Sequence, residues 1–181
     1  RLKGGDPNVF GRGGEEAEHL ASHGVEFEVV PGVSSVVSTG AYGIPLTHRE
    51  HSSSFTVVTG HEDPTKDESA LDWESLAGNV EAGGTLVILM GVRRLPDNVS
   101  MLRENGVSAD TSVAMVEKAT LDSHVVTGTL DDIVSKARSA KIEPPAITVV
   151  GDVVDVREKV VEVISSASVA VPKEIAVGEK P

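Results

Sequence analysis

The sequence predicts an α/β fold with a mixed sheet, and three observations carry that prediction. Strand-like and helix-like stretches alternate along the chain without a tandem repeat, the order expected where helices cover a sheet. Residues 85–90 form a continuous apolar run bounded by Gly84 and Gly91, and residues 146–150, preceded by Pro144-Pro145, read as another buried strand. Such runs are read as central strands covered on both faces. Glycine-bearing turns, Gly4-Gly5-Asp6-Pro7 and Pro31-Gly32, stand where a strand should hand over to a helix, and open α/β sheets bind ligands at such strand ends.

Each element follows from local chemistry. Gly13-Gly14-Glu15-Glu16 opens a helix whose apolar positions Ala17, Leu20 and Ala21 share one face, and Gly24 closes it. Glu15 and Glu16 sit at the positive end of that helix, where carboxylates are favoured. Val25, Phe27 and Val29 alternate with Glu26 and Glu28, which predicts a strand ended by Pro31-Gly32. Ser34-Ser35 is placed to cap a short helix that stops at Gly43. Residues 44–49 have no period, and the rhythm restarts after them, which places a unit boundary near residue 50. Residues 55–59 predict a strand, 63–69 a polar loop, and Asp72 the cap of a helix containing Trp73 and Leu76. After the apolar run 85–90, a helix is expected over 96–105 with Pro96 at its start and Gly106 at its stop. Strands follow over 112–117 and 123–127. Thr129-Leu130-Asp131-Asp132 fits a helix start, with Ile133, Val134 and Ala137 along one face. Pro144-Pro145 breaks that helix ahead of strand 146–150, residues 153–163 fit strand or helix, and 165–181 read as a small, polar, mobile tail.

Composition removes several classes of function. The chain has 181 residues, 39% of them apolar and 24% charged, as in ordinary globular proteins. No apolar run approaches the ~18 residues needed to span a membrane. There is no cysteine, which excludes disulfides, thiolate metal sites and a cysteine nucleophile. The net charge of −12 repels phosphate backbones, and no basic stripe with interleaved aromatics is present, so no nucleic-acid partner is expected. With one Trp and one Tyr, a flat ligand would have to lie on aliphatic side chains and glycine backbone. The chain opens at Arg1-Leu2-Lys3-Gly4 without a lead-in strand, and is read as part of a protein whose start lies upstream of Arg1.

Three clusters carry chemistry. In Gly4-Gly5-Asp6-Pro7 the glycines allow a ligand close to the backbone, Asp6 accepts hydrogen bonds, and Pro7 fixes the exit; alone, the string also fits an ordinary turn. Gly11-Arg12-Gly13-Gly14 is no dinucleotide fingerprint, since position 16 is Glu. Pro31-Gly32-Val33-Ser34-Ser35 presents backbone donors and hydroxyls to a carboxylate or ribose, or simply caps the next helix; no Gly-x-Ser-x-Gly elbow is present. In Gly43-Ile44-Pro45-Leu46-Thr47-His48-Arg49, Arg49 can grip acidic groups bidentately or stand as a surface arginine. His48 and His51 have no third ligand at metal spacing, so no metal is expected.

Taken in register, RLKGGDPNVFGRGGEEAEHL, FEVVPGVSS, AYGIPLTHRE, VTGH, LDWESLA and TLVILMG resemble the uroporphyrinogen-III C-methyltransferases of the tetrapyrrole methylase family, over roughly residues 1–160. The resemblance implies a two-domain α/β fold lacking here most of its N-terminal domain: residues 1–50 the end of the first domain, 51–164 the second, 165–181 a tail. It implies S-adenosylmethionine (SAM) as methyl donor without a metal, a cytoplasmic homodimer, and methylation of uroporphyrinogen III at C2 and C7 to precorrin-2 for sirohaem and cobalamin. Cofactor contacts carry over to Gly4, Gly5, Asp6, Val9, Ser34, Ser35, Met90, Ala119, Pro145 and Ala146, and tetrapyrrole contacts to Tyr42, His48 and Arg49. Arg1, Lys3, Arg12 and Arg49 are the basic groups available to substrate carboxylates, with Arg12 also able to pair with Glu15 or Glu16. The family's acid and base fall upstream of Arg1, so no catalytic residue is assigned and turnover by this chain alone is not expected. Methylation of another precorrin or of a diphthine precursor, and a non-catalytic SAM-binding remnant, stay open. Asn8 and Lys118-Ala119 depart from the family's usual residues.

Overall fold

A computed structural model of the chain describes residues 1–61 and 70–166. The loop expected over 63–69, and the tail beyond Ser166, lie outside the described residues. Five strands form one mixed sheet: β1 (Phe55–Thr59), β2 (Thr85–Leu89), β3 (Ser112–Glu117), β4 (His124–Thr129) and β5 (Ala146–Val150). Their spatial order is β1-β2-β5-β3-β4. β1 and β2 run parallel, while β5 is antiparallel to both β2 and β3, and β4 is antiparallel to β3.

The mainly apolar segments sit where their composition puts them. β2 and β5 are buried at every position, because helices or turns cover both faces. On one face Leu86, Ile88, Val113 and Met115 pack with Trp73, Ala77, Val99, Leu102 and Ile133, from α2 (Trp73–Glu81), α3 (Leu95–Glu104) and α4 (Ile133–Ser139). On the other, Val87, Leu89, Ala114, Val116, Ile147 and Val149 meet Val36, Ile44, Val153 and Val154. Each fully buried Leu or Ile of this kind contributes about 1.5–3 kcal/mol. The segment 35–46 therefore packs its apolar residues against the same sheet as the rest of the chain.

The helix ends follow the predicted signals. Asp72 Oδ1 accepts from Ser75 N at 3.0 Å, capping α2. Pro96 lies in the first turn of α3, and Gly106, at φ 100°, follows its end. α1 (Gly13–Ser22) buries only Gly13, so its apolar face is not a core face. Residues 35–42 wind as a 3₁₀ helix, with Ser34 Oγ accepting from Val36 N at 3.3 Å. Asp132 turns back to accept from Thr129 N at 2.8 Å, and α4 starts one residue later. Residues 153–163 resolve as helix: a 3₁₀ turn over 152–155 leads into α5 (Val156–Ser166).

One expected element is absent. Residues 25–30 form no strand, and Val25, Phe27 and Val29 are 48%, 46% and 45% exposed. An extended segment becomes a strand only by pairing its backbone, and the five strands of the described residues pair with one another, not with it. No helix of the described residues is long and apolar enough to cross a membrane.

Candidate functional site

The register of the sheet gathers several chain ends at one edge. Leu89 of β2 and Val116 of β3 both stand opposite Ile147 of β5, and Glu117 stands opposite Ala146. The C-terminal ends of β1, β2 and β3 and the N-terminal end of β5 therefore share one side of the sheet. Together with the 4–11 and 33–38 turns, it lines an open-mouthed cavity of about 980 Å³.

The first two motifs are bound to each other across 26 residues. Asp6 Oδ2 accepts from Gly32 N at 3.0 Å and Oδ1 from Asn8 N at 2.8 Å. These two amides, Gly32 first, hold the Asp6 carboxyl below its ordinary value of 3.8. Asp6 is thus the clamp between two turns as well as a cavity residue. The junction is tight: a Cβ on Gly32 would lie 2.6 Å from Gly5 O, and Gly5 itself sits at φ 121°, which glycine adopts without cost.

All ten residues expected to hold cofactor line this one cavity. Gly4, Gly5, Asp6 and Val9 come from the first turn, and Ser34 and Ser35 from the second. Met90 follows β2 with φ 57°, a left-handed conformation that is uncommon outside glycine. Ala119 lies in the 118–121 loop after β3, and Pro145 and Ala146 lead into β5. Lys118 N donates to Pro145 O at 2.9 Å, tying those last two walls together. Lys118 Nζ stands 3.1 Å from Glu117 Oε1, which raises the lysine's pKa.

Sequence reading missed His61, Arg93, Lys118 and Thr120, which also face the cavity. Their signal was positional, since His61 and Arg93 follow Gly60 and Gly91 at the ends of β1 and β2. Of the basic groups expected near substrate, Lys3 lines the cavity with its Nζ 2.8 Å from Glu16, and Arg1 reaches the same carboxylate at 3.3 Å. Arg12 pairs with Glu15 at 2.6 Å, which leaves its charge offset locally.

Tyr42, His48 and Arg49 do not line the cavity. The Tyr42 hydroxyl accepts from Thr120 N at 2.6 Å behind the cavity wall. His48 pairs with Ser52 across a tight turn, and Arg49 is exposed. That turn brings His48, Glu50 and His51 within 4.8 Å of one another, a third group that spacing alone did not find. His48 Nδ1 accepts from Glu50 N at 3.2 Å, however. In that arrangement a backbone amide occupies Nδ1.

Residues 1–134 match the family Tetrapyrrole (Corrin/Porphyrin) Methylases. The chain belongs to the tetrapyrrole methylase family. It is 57% identical over 160 residues to the S-adenosyl-L-methionine-dependent uroporphyrinogen III methyltransferase of Methanosarcina barkeri, covering 87% of this chain and 62% of that protein. It is 48% identical over 157 residues to the uroporphyrinogen-III C-methyltransferase of Priestia megaterium, covering 86% and 64%. This tetrapyrrole methylase chain therefore spans a little under two-thirds of the length of these curated relatives. The uroporphyrin-III C-methyl transferase of Thermus thermophilus complexed with S-adenyl homocysteine superposes with a TM-score of 0.71 at 38% identity, covering 86% of this chain and 66% of that one.

Proposed function

We propose that the chain carries the cofactor-binding part of an S-adenosylmethionine-dependent enzyme that C-methylates uroporphyrinogen III at C2 and C7 to precorrin-2, on the way to sirohaem and cobalamin. The observation that carries this reading is the convergence of ten residues, drawn from five separate stretches of sequence, on one cavity. Its size falls within the range of about 300–1,000 Å³ usual for small-molecule sites. Glycine backbone at 4 and 5, hydroxyls at 34 and 35, and apolar walls from Val9, Leu89, Met90, Val116 and Ile147 fit a ligand with a charged amino-acid end and an apolar adenosine body.

Bound there, S-adenosylmethionine supplies the electrophilic methyl. Gly4, Gly5, Asp6 and Ser34 would hold its polar groups, while Met90, Ala119, Pro145 and Ala146 would enclose the adenosine. The work asked of the protein is orientation and exclusion of water, which is worth roughly 7–11 kcal/mol of barrier where alignment is complete. Tyr42, His48 and Arg49, none of which lines the cavity, are proposed to border the tetrapyrrole site, with Arg49 available to its carboxylates. Residues 1–50 and 51–164 are proposed as parts of two domains, in a cytoplasmic homodimer without nucleic-acid or membrane partners. The support for these points is the family resemblance and the charge of −12.

The test has two arms. Calorimetry of this chain with S-adenosylhomocysteine should show one site per chain; no heat at any accessible concentration sinks the cofactor reading. The complete protein, given S-adenosylmethionine and a panel of reduced tetrapyrroles, should add two methyls to uroporphyrinogen III by mass spectrometry. Methylation of another precorrin in its place would shift the substrate and leave the cofactor site standing.

A further inference from the structure

One part of the cavity lining is the loop 118–121, and its conformation is unfavourable on its own. Lys118 and Thr120, neither of them glycine, adopt φ 46° and 67°, in the left-handed region that side chains disfavour. Such a conformation persists where surrounding contacts fix it. Within the loop, Leu121 N donates to Lys118 O at 2.9 Å. Two further bonds anchor it from outside. One is the bond from Lys118 N to Pro145 O at 2.9 Å, which ends on another cavity residue. The other is the bond from Thr120 N to the Tyr42 hydroxyl at 2.6 Å, which spans 78 residues of sequence.

Tyr42 is itself held. It closes the 3₁₀ segment 35–42, whose beginning, Ser35 and Ser38, faces the cavity. Its ring packs with the apolar cluster that includes Ala119, and the Arg157 guanidinium of α5 donates to its backbone carbonyl. Arg157 is partly buried, and desolvation lowers its pKa; among the described residues no carboxylate pairs with it within ion-pair distance. A partly desolvated guanidinium without a carboxylate gains from hydrogen bonds to carbonyls, and here one such bond holds Tyr42.

We propose that Tyr42 is a positioning residue for cofactor binding: its hydroxyl fixes the Thr120 amide and so holds the 118–121 wall closed, with Arg157 fixing Tyr42 from α5. This rests on the cavity being the S-adenosylmethionine site. The removal of one neutral hydrogen bond, by Tyr42→Phe, should weaken S-adenosylhomocysteine binding roughly fivefold, since the ring and the Arg157 contact remain. Arg157→Met, which touches neither the loop nor the ligand, should weaken it two- to threefold in roughly the same way.

The experiment compares the unmodified chain, Y42F and R157M by calorimetry with S-adenosylhomocysteine, alongside hydrogen exchange of the Thr120 amide by NMR without ligand. Weaker binding in both variants, with faster Thr120 exchange in Y42F, supports the proposal. Unchanged affinity in Y42F overturns it, even where the melting temperature falls, because that pattern belongs to a purely structural tyrosine. Unchanged Thr120 exchange in Y42F overturns the hydrogen bond itself, whether or not any ligand binds. Should Y42F fail to fold, R157M carries the same test, and unaltered affinity there overturns the relay. Absence of binding by the unmodified chain removes the cofactor reading, and the exchange data then stand as a separate result on the loop.

Discussion

Replacing Gly32 with alanine tests whether the two N-terminal turns must touch for the cavity to form. The new Cβ would lie 2.6 Å from Gly5 O, 2.9 Å from Gly5 C and 3.2 Å from Asp6 N. All three are backbone atoms, so no side-chain rotation relieves the clash. Ordinary contact begins near 3.4 Å, so the turns must part by about 0.8 Å. A shift of that size carries the Asp6–Gly32 bond, now 3.0 Å, beyond hydrogen-bond reach. Forced overpacking costs about 1–3 kcal/mol, and if ligand binding requires the closed turns, affinity falls by roughly 5- to 150-fold. The sheet core is untouched, since Gly32 is exposed and lies outside both apolar clusters, so the melting temperature should fall only by the several degrees that a cost of about 1–3 kcal/mol brings. Calorimetry with S-adenosylhomocysteine on the unmodified chain and G32A reads the effect. G14A serves as control, because a Cβ there meets nothing within 4 Å and the residue lies in α1 away from the cavity. Alanine in the helix should add up to about 1 kcal/mol of stability without altering affinity. G32A binding within twofold of the unmodified chain would refute the reasoning, since the cavity would then form with its turns apart.

Three further outcomes follow from the same geometry. Asp6 titrates below its ordinary 3.8 in the folded chain because two amides stabilise its ionised form, so its contribution is full above the unfolded value and is lost as pH falls through the folded one. Ligand affinity should therefore hold steady from neutral pH down to the ordinary carboxylate range and drop on further acidification. D6N should bind more weakly at neutral pH and lose that acid limb in a pH titration. Met115→Ala, at a fully buried position in the sheet, should destabilise by about 2–5 kcal/mol in denaturant melts. K118A leaves the backbone bond to Pro145 in place and removes a charge at the cavity rim; it should change the salt dependence of binding more than affinity at high salt.

The fold was legible where composition and partner lie in the same stretch of chain. The mainly apolar segments 85–90 and 146–150 needed no knowledge of topology, because a strand buried on both faces shows no polar-apolar alternation to place. Asp72, Pro96 and Gly106 were legible for a different reason: caps answer to backbone groups a few residues away. The cavity residues were legible through motif resemblance and not through spacing, because what unites Met90, Ala119 and Pro145 is the register of β2, β3 and β5. Glu50 stands between His48 and His51 in the sequence, and the turn from 48 to 52 adds that the three side chains come together.

Residues 25–30 mark the boundary of what a pattern can say. Alternation of Val25, Phe27 and Val29 with two glutamates is a better strand signature than β4 offers, where HVVTGT has no clean period. Yet β4 forms and 25–30 does not. β4 has β3 beside it, with six residue pairs in register from Ser112↔Thr129 to Glu117↔His124, and that ladder settles its backbone groups whatever its side chains prefer. Residues 25–30 have no such neighbouring strand among the described residues, and three of their apolar side chains stand about half exposed. Periodicity reports which face of a segment gains from burial, and the hydrogen-bonding partner decides whether a strand exists. The Tyr42 hydroxyl makes the same point at the scale of one bond: its bond to the Thr120 amide comes from the packing of the 35–42 segment beside the 118–121 loop, and no motif containing either residue encodes it.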